Sequence, residues 1–430
     1  MDTGQGIFPA DRCPEKSAGL PLRPLEGWEN NMMNHWKDRL LSGVCAVVLL
    51  VTAAVPAAYA QEPANTETVQ ALSASDVKEM QQADAVVTAL TDSTEFAEMS
   101  VEQRTDAAQT RLEALVKQGL VQKGSVYRDE ENGMVSFAYA CGVWGGILLE
   151  DPEEAEPADL QTEPAEEEEA ALAAENGTYG NAVIYYAFDN TANSSRYPNY
   201  AYMQNYWTSV GLDTKLDTTV TVSDLRRMGD YDLCVLSTHG AYYTYEYGWL
   251  QKKEATEPVL LLTEESTFWN DLRYGMDLLG HRVIKVNGAY AVTPGFFAAN
   301  YRKGSLNDTI ILSETCEFYG KSGHLDKSIA EALVNAGAEA VVGYVNNVYS
   351  VYSRSMMWAM VNRMLEGDTV GEAMAFALDQ FGEDDIVWYN AQGGRRPHAV
   401  ASFPIITGEA DARLKALGGQ QSIRAVQEAA

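Results

Sequence analysis

The sequence predicts an α/β protein, with a mostly parallel sheet flanked by helices and a small α+β unit before it. Three observations lead there. Strand-length apolar runs recur from residue 180 onward: AVIYYAF, YDLCVLSTHG, DTIILSETC, AEAVVGYV and SFPIITG. Segments of helical periodicity separate them, and that alternation implies parallel strands covered on both faces. A proline-punctuated acidic stretch separates this region from a different pattern upstream.

The N-terminus reads as a leader. Lys37 and Arg39 precede the apolar run Leu40 to Val55, and Ala58-Tyr59-Ala60 offers a small-x-small cleavage site. Residues 1–31 lie upstream of that signal, with Met32 or Met33 read as the start and 32–60 as the signal peptide. The apolar run is short for a stable span, so no membrane span is expected after cleavage and the mature chain is expected outside the cell. Five cysteines include Cys13 and Cys45 before the cleavage site, which leaves Cys141, Cys234 and Cys316. Three thiols are too few for a disulfide scaffold, and an odd number flags one for reactivity.

Residues 61–149 form the α+β unit, a propeptide or accessory domain. Ala71 to Leu90 and Val101 to Leu120 have helical spacing, with Ser75 as the expected cap of the first helix. Asn132-Gly133 between β-prone runs signals a hairpin. Residues 150–177 form an acidic linker, kept extended by self-repulsion and by Pro152, Pro157 and Pro164. The Glu166–Glu169 run leaves calcium open, but it lacks the ligand spacing and turn glycine of a dedicated loop, so no cofactor is expected. His281, His324 and His398 lack zinc spacing and are read as structural.

Residues 178–415 form the main domain, and 416–430 a tail. After AVIYYAF a helix is expected over Tyr197 to Val210, a β-rich piece at TTVTV (218–222), and a helix in DLRRMG capped by Ser223. A Tyr-rich loop follows, with Tyr242, Tyr243, Tyr245, Tyr247 and Trp249 packed together or lining a binding wall. Then come a strand at PVLLLTEE, a helix around Phe268 to Leu279, and the run RVIKVNGAYAV. The remaining helices fall at Leu325 to Ala336, Tyr352 to Leu365 and Val370 to Phe381.

The net charge of -30, from 31 basic and 61 acidic residues, repels nucleic acid, which is excluded as a partner. GGRR (393–396) is too short for a basic patch, and no phosphate loop or dinucleotide fingerprint is present.

Open α/β sheets carry their sites at the C-terminal ends of strands. Two strands here end in reactive side chains: VLSTHG presents His239 before Gly240, and IILSETC presents Cys316. A thiol becomes a good nucleophile beside a base, and a glycine lets backbone N–H groups approach a substrate carbonyl.

The ordered series THG, TPGFFAANYRKGSLNDTIILSETCEF, SIAEALVNAGAEAVVGYVNNV, LEGDTVGEAMAFAL and FPIITGEADARL resembles the caspase-like (clan CD) cysteine peptidases, nearest to the gingipain and CHAT-domain branch. The resemblance covers about 180–415. It implies a caspase-like fold, with Cys316 as nucleophile, His239 as base, and the N–H groups of Gly240 and Cys316 as the oxyanion hole. Thr315 and Glu317-Phe318-Tyr319 depart from the family pattern. Glu314, two residues before the cysteine on the same strand face, resembles the acid that binds Lys or Arg at P1 in metacaspases and clostripain. Tyr344, Asn346 and Asn347 would line the substrate cleft.

The expectation is a secreted cysteine endopeptidase acting through an acyl-enzyme after Arg or Lys, on protein or peptide substrates. Lys252-Lys253 is a candidate self-processing site. The alternative is a catalytically weak or inactive caspase-like interaction module at the cell surface.

Overall fold

The computed structural model describes residues 71–149, 178–188, 199–248, 251–386 and 400–417. The expected leader (32–60), the expected acidic linker (150–177), Trp249 and His398 lie outside them.

The described residues begin with α1 (Ala74–Thr91), α2 (Thr94–Glu98) and α3 (Val101–Gln118). The cap of α1 is Ser73, two residues earlier than expected. Its hydroxyl accepts from Asp76 N–H while the Asp76 carboxylate accepts from Ser73 N–H. That reciprocal capping box needs a spacing of three, which Ser75 lacks. Strands β1 (Tyr127–Asp129), β2 (Met134–Ala138) and β3 (Trp144–Leu148) follow as antiparallel neighbours. Gly133 takes the positive φ of the expected hairpin turn.

After the linker come β4 (Thr178–Tyr179), β5 (Asn181–Tyr186), α4 (Tyr200–Ser209), β6 (Asp213–Asp217) and β7 (Leu233–Ser237). The TTVTV piece is not a strand. Val220 and Val222 are buried in a turn held by reciprocal hydrogen bonds between Thr221 and Asp224. Those side-chain bonds compete with helix, and DLRRMG yields a single 3-10 turn at Met228–Asp230.

The expected Tyr-rich loop is instead β8 (Gly240–Tyr247), paired with the long β9 (Lys253–Glu265). Tyr243, Tyr245 and Tyr247 recur at every second residue, a spacing that suits a pleated, half-buried surface. The helix expected over 268–279 breaks at Tyr274 into α5 (Phe268–Arg273) and α6 (Gly275–Leu279). Strands β10 (Val283–Val286) and β11 (Ala289–Val292) form a hairpin through Asn287 and Gly288, both at positive φ.

The chain then runs through α7 (Pro294–Asn300), β12 (Ile310–Ser313), β13 (Gly320–Lys321), β14 (His324–Leu325) and α8 (Ser328–Asn335). It ends with β15 (Ala340–Val345), α9 (Ser350–Leu365), α10 (Val370–Phe381), β16 (Phe403–Gly408) and β17 (Ala416–Leu417).

Two sheets organise these elements. The first has the order β16-β15-β12-β7-β5-β6 and is parallel except for β16. Helices α4, α9 and α10 cover one face through Met203, Trp207, Val361, Met364 and Ala373. Helices α7 and α8 cover the other through Phe296, Phe297, Ile329 and Leu333. The chain is thus mixed α/β, with a mostly parallel sheet between helices.

The second sheet has the order β1-β2-β3-β10-β11-β9-β8. It curls until β8 packs back against β1 and β2, nearly closing it. Tyr243 Oη donates to Gly145 O at 3.3 Å across that closure. Met134, Tyr243, Val259, Ile284 and Ala291 fill the interior. Strands from residues 127–148 therefore share one sheet with strands from 240–292, joined by the parallel pairing of β3 with β10.

The outer face of this sheet packs Val135, Phe137 and Ile147 against Val77, Leu112 and Leu115 of α1 and α3. The same apolar cluster continues to Cys234, Leu236 and Ile311 of the parallel sheet. Among the described residues, no helix is long and apolar enough to cross a membrane.

A shared core predicts shared unfolding. Phe137→Ala should cost about 3–5 kcal/mol, and intrinsic fluorescence and circular dichroism should follow one denaturant transition. Two separated transitions would show that 71–149 folds as an independent unit.

Candidate functional site

The site is built at the carboxyl ends of β7 and β12. These strands are parallel neighbours with Ser313 opposite Leu236, and Glu314 N–H donates to Leu236 O at 2.9 Å. Beyond the last ladder pair, Thr238 and Thr315 meet hydroxyl to hydroxyl at 3.1 Å. The register therefore continues past the strand ends and sets His239 opposite Cys316.

Gly240 decides how close the two segments come. A Cβ there would stand 2.1 Å from Cys316 O and 2.4 Å from Thr315 Cγ2, where no side chain fits. Leu261 N–H donates to His239 O, so Gly240 and Leu260 form a non-hydrogen-bonded antiparallel pair. The Gly240 N–H is consequently turned away from β9, as an oxyanion donor requires.

The His239 ring is half-buried and meets the edge of Phe188, centroids 4.2 Å apart. Desolvation lowers its pKa to about 4, because burial penalises the imidazolium. The ring is neutral at physiological pH, the form in which it accepts a proton.

The Cys316 thiol lies against the turn before α9. Val348 N–H donates to Sγ at 3.4 Å, and Sγ lies 3.7 Å from Val348 O. Helix α9 starts two residues later, so the sulfur sits near a helix N-terminus, where a thiolate is favoured. The fully buried Asp385 fixes that turn by accepting from Tyr349 N–H at 2.8 Å and from Ser402 N–H at 2.9 Å. Neither Val348 nor Asp385 carries a sequence signal, because their roles come from a backbone amide and a long-range contact. The other thiols differ. Burial pushes the Cys234 thiol far up and also raises Cys141, which disfavours the thiolate at both.

Glu317 directly follows the nucleophile candidate at φ 54°, a costly conformation for a residue with a side chain. Its N–H donates to Asn346 O at 2.8 Å, and its buried carboxyl meets Lys321 at 3.3 Å. Phe318 and Tyr319 are fully buried. A Cβ on Gly343 of β15 would stand 2.4 Å from Phe318 Cδ1. The Glu-Phe-Tyr departure is thus a packing solution in which Gly343 makes room for the Phe318 ring.

Glu314 lies on the same side of the sheet as Cys316, towards α4 and α9. It is buried, and its Oε2 accepts from Tyr200 Oη at 2.9 Å. Tyr200 Oη in turn accepts from Ser237 Oγ at 2.9 Å. The Arg354 guanidinium stands 5.9 Å from the Tyr200 ring centroid. Tyr200 and Arg354 belong to this cluster and were not singled out from sequence.

Two residues expected along the cleft are buried. Tyr344 is buried in the helix-side core beside Tyr352, because alternation along β15 turns it inward. Asn346, at φ 67°, is a clamp: its amide donates to Ser322 Oγ and Ala401 O, and its Oδ1 accepts from Ser322 N–H. Asn347 alone of the three is exposed.

In the Tyr-rich strand, Tyr242 and Tyr243 are buried and Tyr247 is exposed. Lys252 bonds Gly124 O and Glu246 at the β8–β9 turn, and Lys253 opens β9. His281 pairs with Glu257 at 2.7 Å. His324 is exposed on β14, edge-on to Tyr242. Among the described residues, no group of three His, Cys, Asp or Glu side chains is placed to hold a metal ion. No protein-family model matches this chain, and no curated protein matches it.

Two predictions follow from this geometry. Gly240→Ala should destabilise by about 1–3 kcal/mol and displace the Cys316 carbonyl, read as a lowered denaturation midpoint. His239 has a folded pKa of about 4 against an ordinary 6.5. Between those values the unfolded chain binds a proton that the folded chain refuses, so stability falls as pH drops through that window. His239→Gln should flatten that part of the stability–pH curve.

Proposed function

We propose that the protein is an exported cysteine endopeptidase of the caspase-like type. Cys316 is its nucleophile and His239 its general base. The observation that carries this reading is the juxtaposition of His239-Gly240 and Thr315-Cys316 at two adjacent parallel strand ends. The ordered segments that follow Cys316, from the AGAEAVVGY turn and strand to the antiparallel closing strand, support the caspase-like assignment. The leader pattern at Lys37 to Ala60 supports export.

His239, neutral, takes the Cys316 proton as the sulfur attacks the scissile carbonyl, and later returns it to the leaving amine. Val348 N–H and the start of α9 stabilise the thiolate. The N–H groups of Gly240 and Cys316 would receive the oxyanion. Water then releases the acyl group.

A basic P1 residue is supported by Glu314, which shares the sheet side of Cys316. An incoming guanidinium or ammonium would compete with Tyr200 for its carboxylate.

Peptide-library digestion tests both parts. Cys316→Ala should lower cleavage at least about a thousandfold, and retained activity would remove Cys316 from the mechanism. Glu314→Gln should lower kcat/KM for Arg and Lys peptides by about ten- to a hundredfold relative to peptides with apolar P1. An unchanged preference would remove Glu314 from the pocket while leaving the Cys–His pair standing.

A further inference from the structure

The junction of α1, α5 and β10 buries an amine between two carboxyl groups. Lys285 on β10 is 1% exposed, and its Nζ lies 2.5 Å from Asp84 Oδ2 of α1 and 2.9 Å from Asp271 Oδ2 of α5. Asp271 is fully buried. Tyr139 donates to Asp84 at 2.5 Å, Tyr290 to Asp271 at 2.8 Å, and Gln81 to Asp271 at 2.8 Å. The Tyr139 ring also stands 5.3 Å from Nζ.

Two carboxylates and one ammonium leave one uncompensated negative charge in an apolar core. Such a cluster gains by taking up one proton. Asp271 accepts from Tyr290, Gln81, Ser266 and Lys285, whereas among the described residues Asp84 accepts only from Tyr139 and Lys285. The less well hydrogen-bonded Asp84 therefore receives that proton, in line with the rise that burial gives its pKa.

We propose that Lys285 and Asp84 condense into an intramolecular isopeptide bond, with Asp271 as the proton acceptor. The Lys285 ammonium gives one proton to the Asp271 carboxylate. The freed amine attacks Cγ of the Asp84 carboxylic acid. The C–N bond forms, the C–OH bond breaks, and the hydroxyl leaves with a second nitrogen proton as water. Asp271 ends as a neutral acid beside a neutral amide, so the buried charge disappears.

The geometry meets the requirements of this step. Amine and carboxyl are in contact and held by three separate elements, which supplies the proximity an uncatalysed amide condensation lacks. Gly145, opposite Lys285 on β3, has no side chain where the Phe137 and Tyr139 rings close over the site. The Asp84 side chain is 14% exposed and opens on a shallow depression lined by Gln81, Thr88 and Ser266, through which water can leave. The bond would tie α1 covalently to the second sheet whether or not Cys316 is a nucleophile. A cut anywhere in residues 150–177 would then leave the N-terminal segment attached.

The test is mass spectrometry of the denatured full mature chain. The expected intact mass is one water below the sequence sum. In a tryptic digest the peptides carrying Asp84 and Lys285 should appear joined. Asp271→Asn, nearly isosteric, should keep its circular-dichroism spectrum and show the full mass with the two peptides separate. Lys285→Met should also show the full mass, but it leaves two carboxyl groups facing each other, so Asp271→Asn is the decisive variant. A wild-type chain of full mass with separate peptides would overturn the bond and leave an ion-pair lock. A link that persists in Asp271→Asn would overturn the role given to Asp271.

Discussion

Two residues, Thr238 and His239, carry the chain from one sheet into the other. Strand β7 ends at Ser237 in the centre of the parallel sheet, and β8 begins at Gly240 on the edge of the curled one. Nothing longer separates them, so the position of the second sheet fixes the direction in which His239 leaves the first. The path works because Gly240 has no Cβ to collide with the Cys316 carbonyl. Strands β1 to β3 complete the sheet that receives β8, and so hold the histidine in place from a distance.

Around that junction, groups of like chemistry receive different environments. Cys234 and Cys316 both belong to the same pair of neighbouring strand segments. Cys234 lies mid-strand in the apolar core, where desolvation keeps its proton on. Cys316 lies past the strand end, within reach of a backbone N–H at the start of a helix. Histidines divide in the same way: His281 is paired with Glu257, whereas His239 faces Phe188 and is held neutral. The environment of each group here depends on position relative to strand ends and helix starts more than on residue type.

Much of this was legible in the sequence. The apolar strands ending in His239 and Cys316 were readable because buried parallel strands are near-continuous hydrophobic runs. Glu314 could be placed on the face of Cys316 by the two-residue period alone. Local patterns erred where side chains competed with the backbone. Thr221 and Asp224 made a turn from a β-rich run, and Ser73 captured the cap expected at Ser75. Tyr344 and Asn346 are expected along a cleft from the resemblance alone; the folded chain buries the Tyr344 ring and ties the Asn346 amide into three hydrogen bonds.

The sequence by itself determined most strands of the parallel sheet, their order, and which two strand ends carry the thiol and the imidazole, because periodicity and end residues are local properties. Tertiary structure alone decided that residues 127–148 join a sheet with residues 240–292. It alone brought Val348 to the sulfur, Tyr200 to Glu314, and Asp84 to Lys285. Those pairings span from 32 to 201 positions of chain. No local pattern encodes such contacts, since they depend on which surfaces the folded core leaves facing one another.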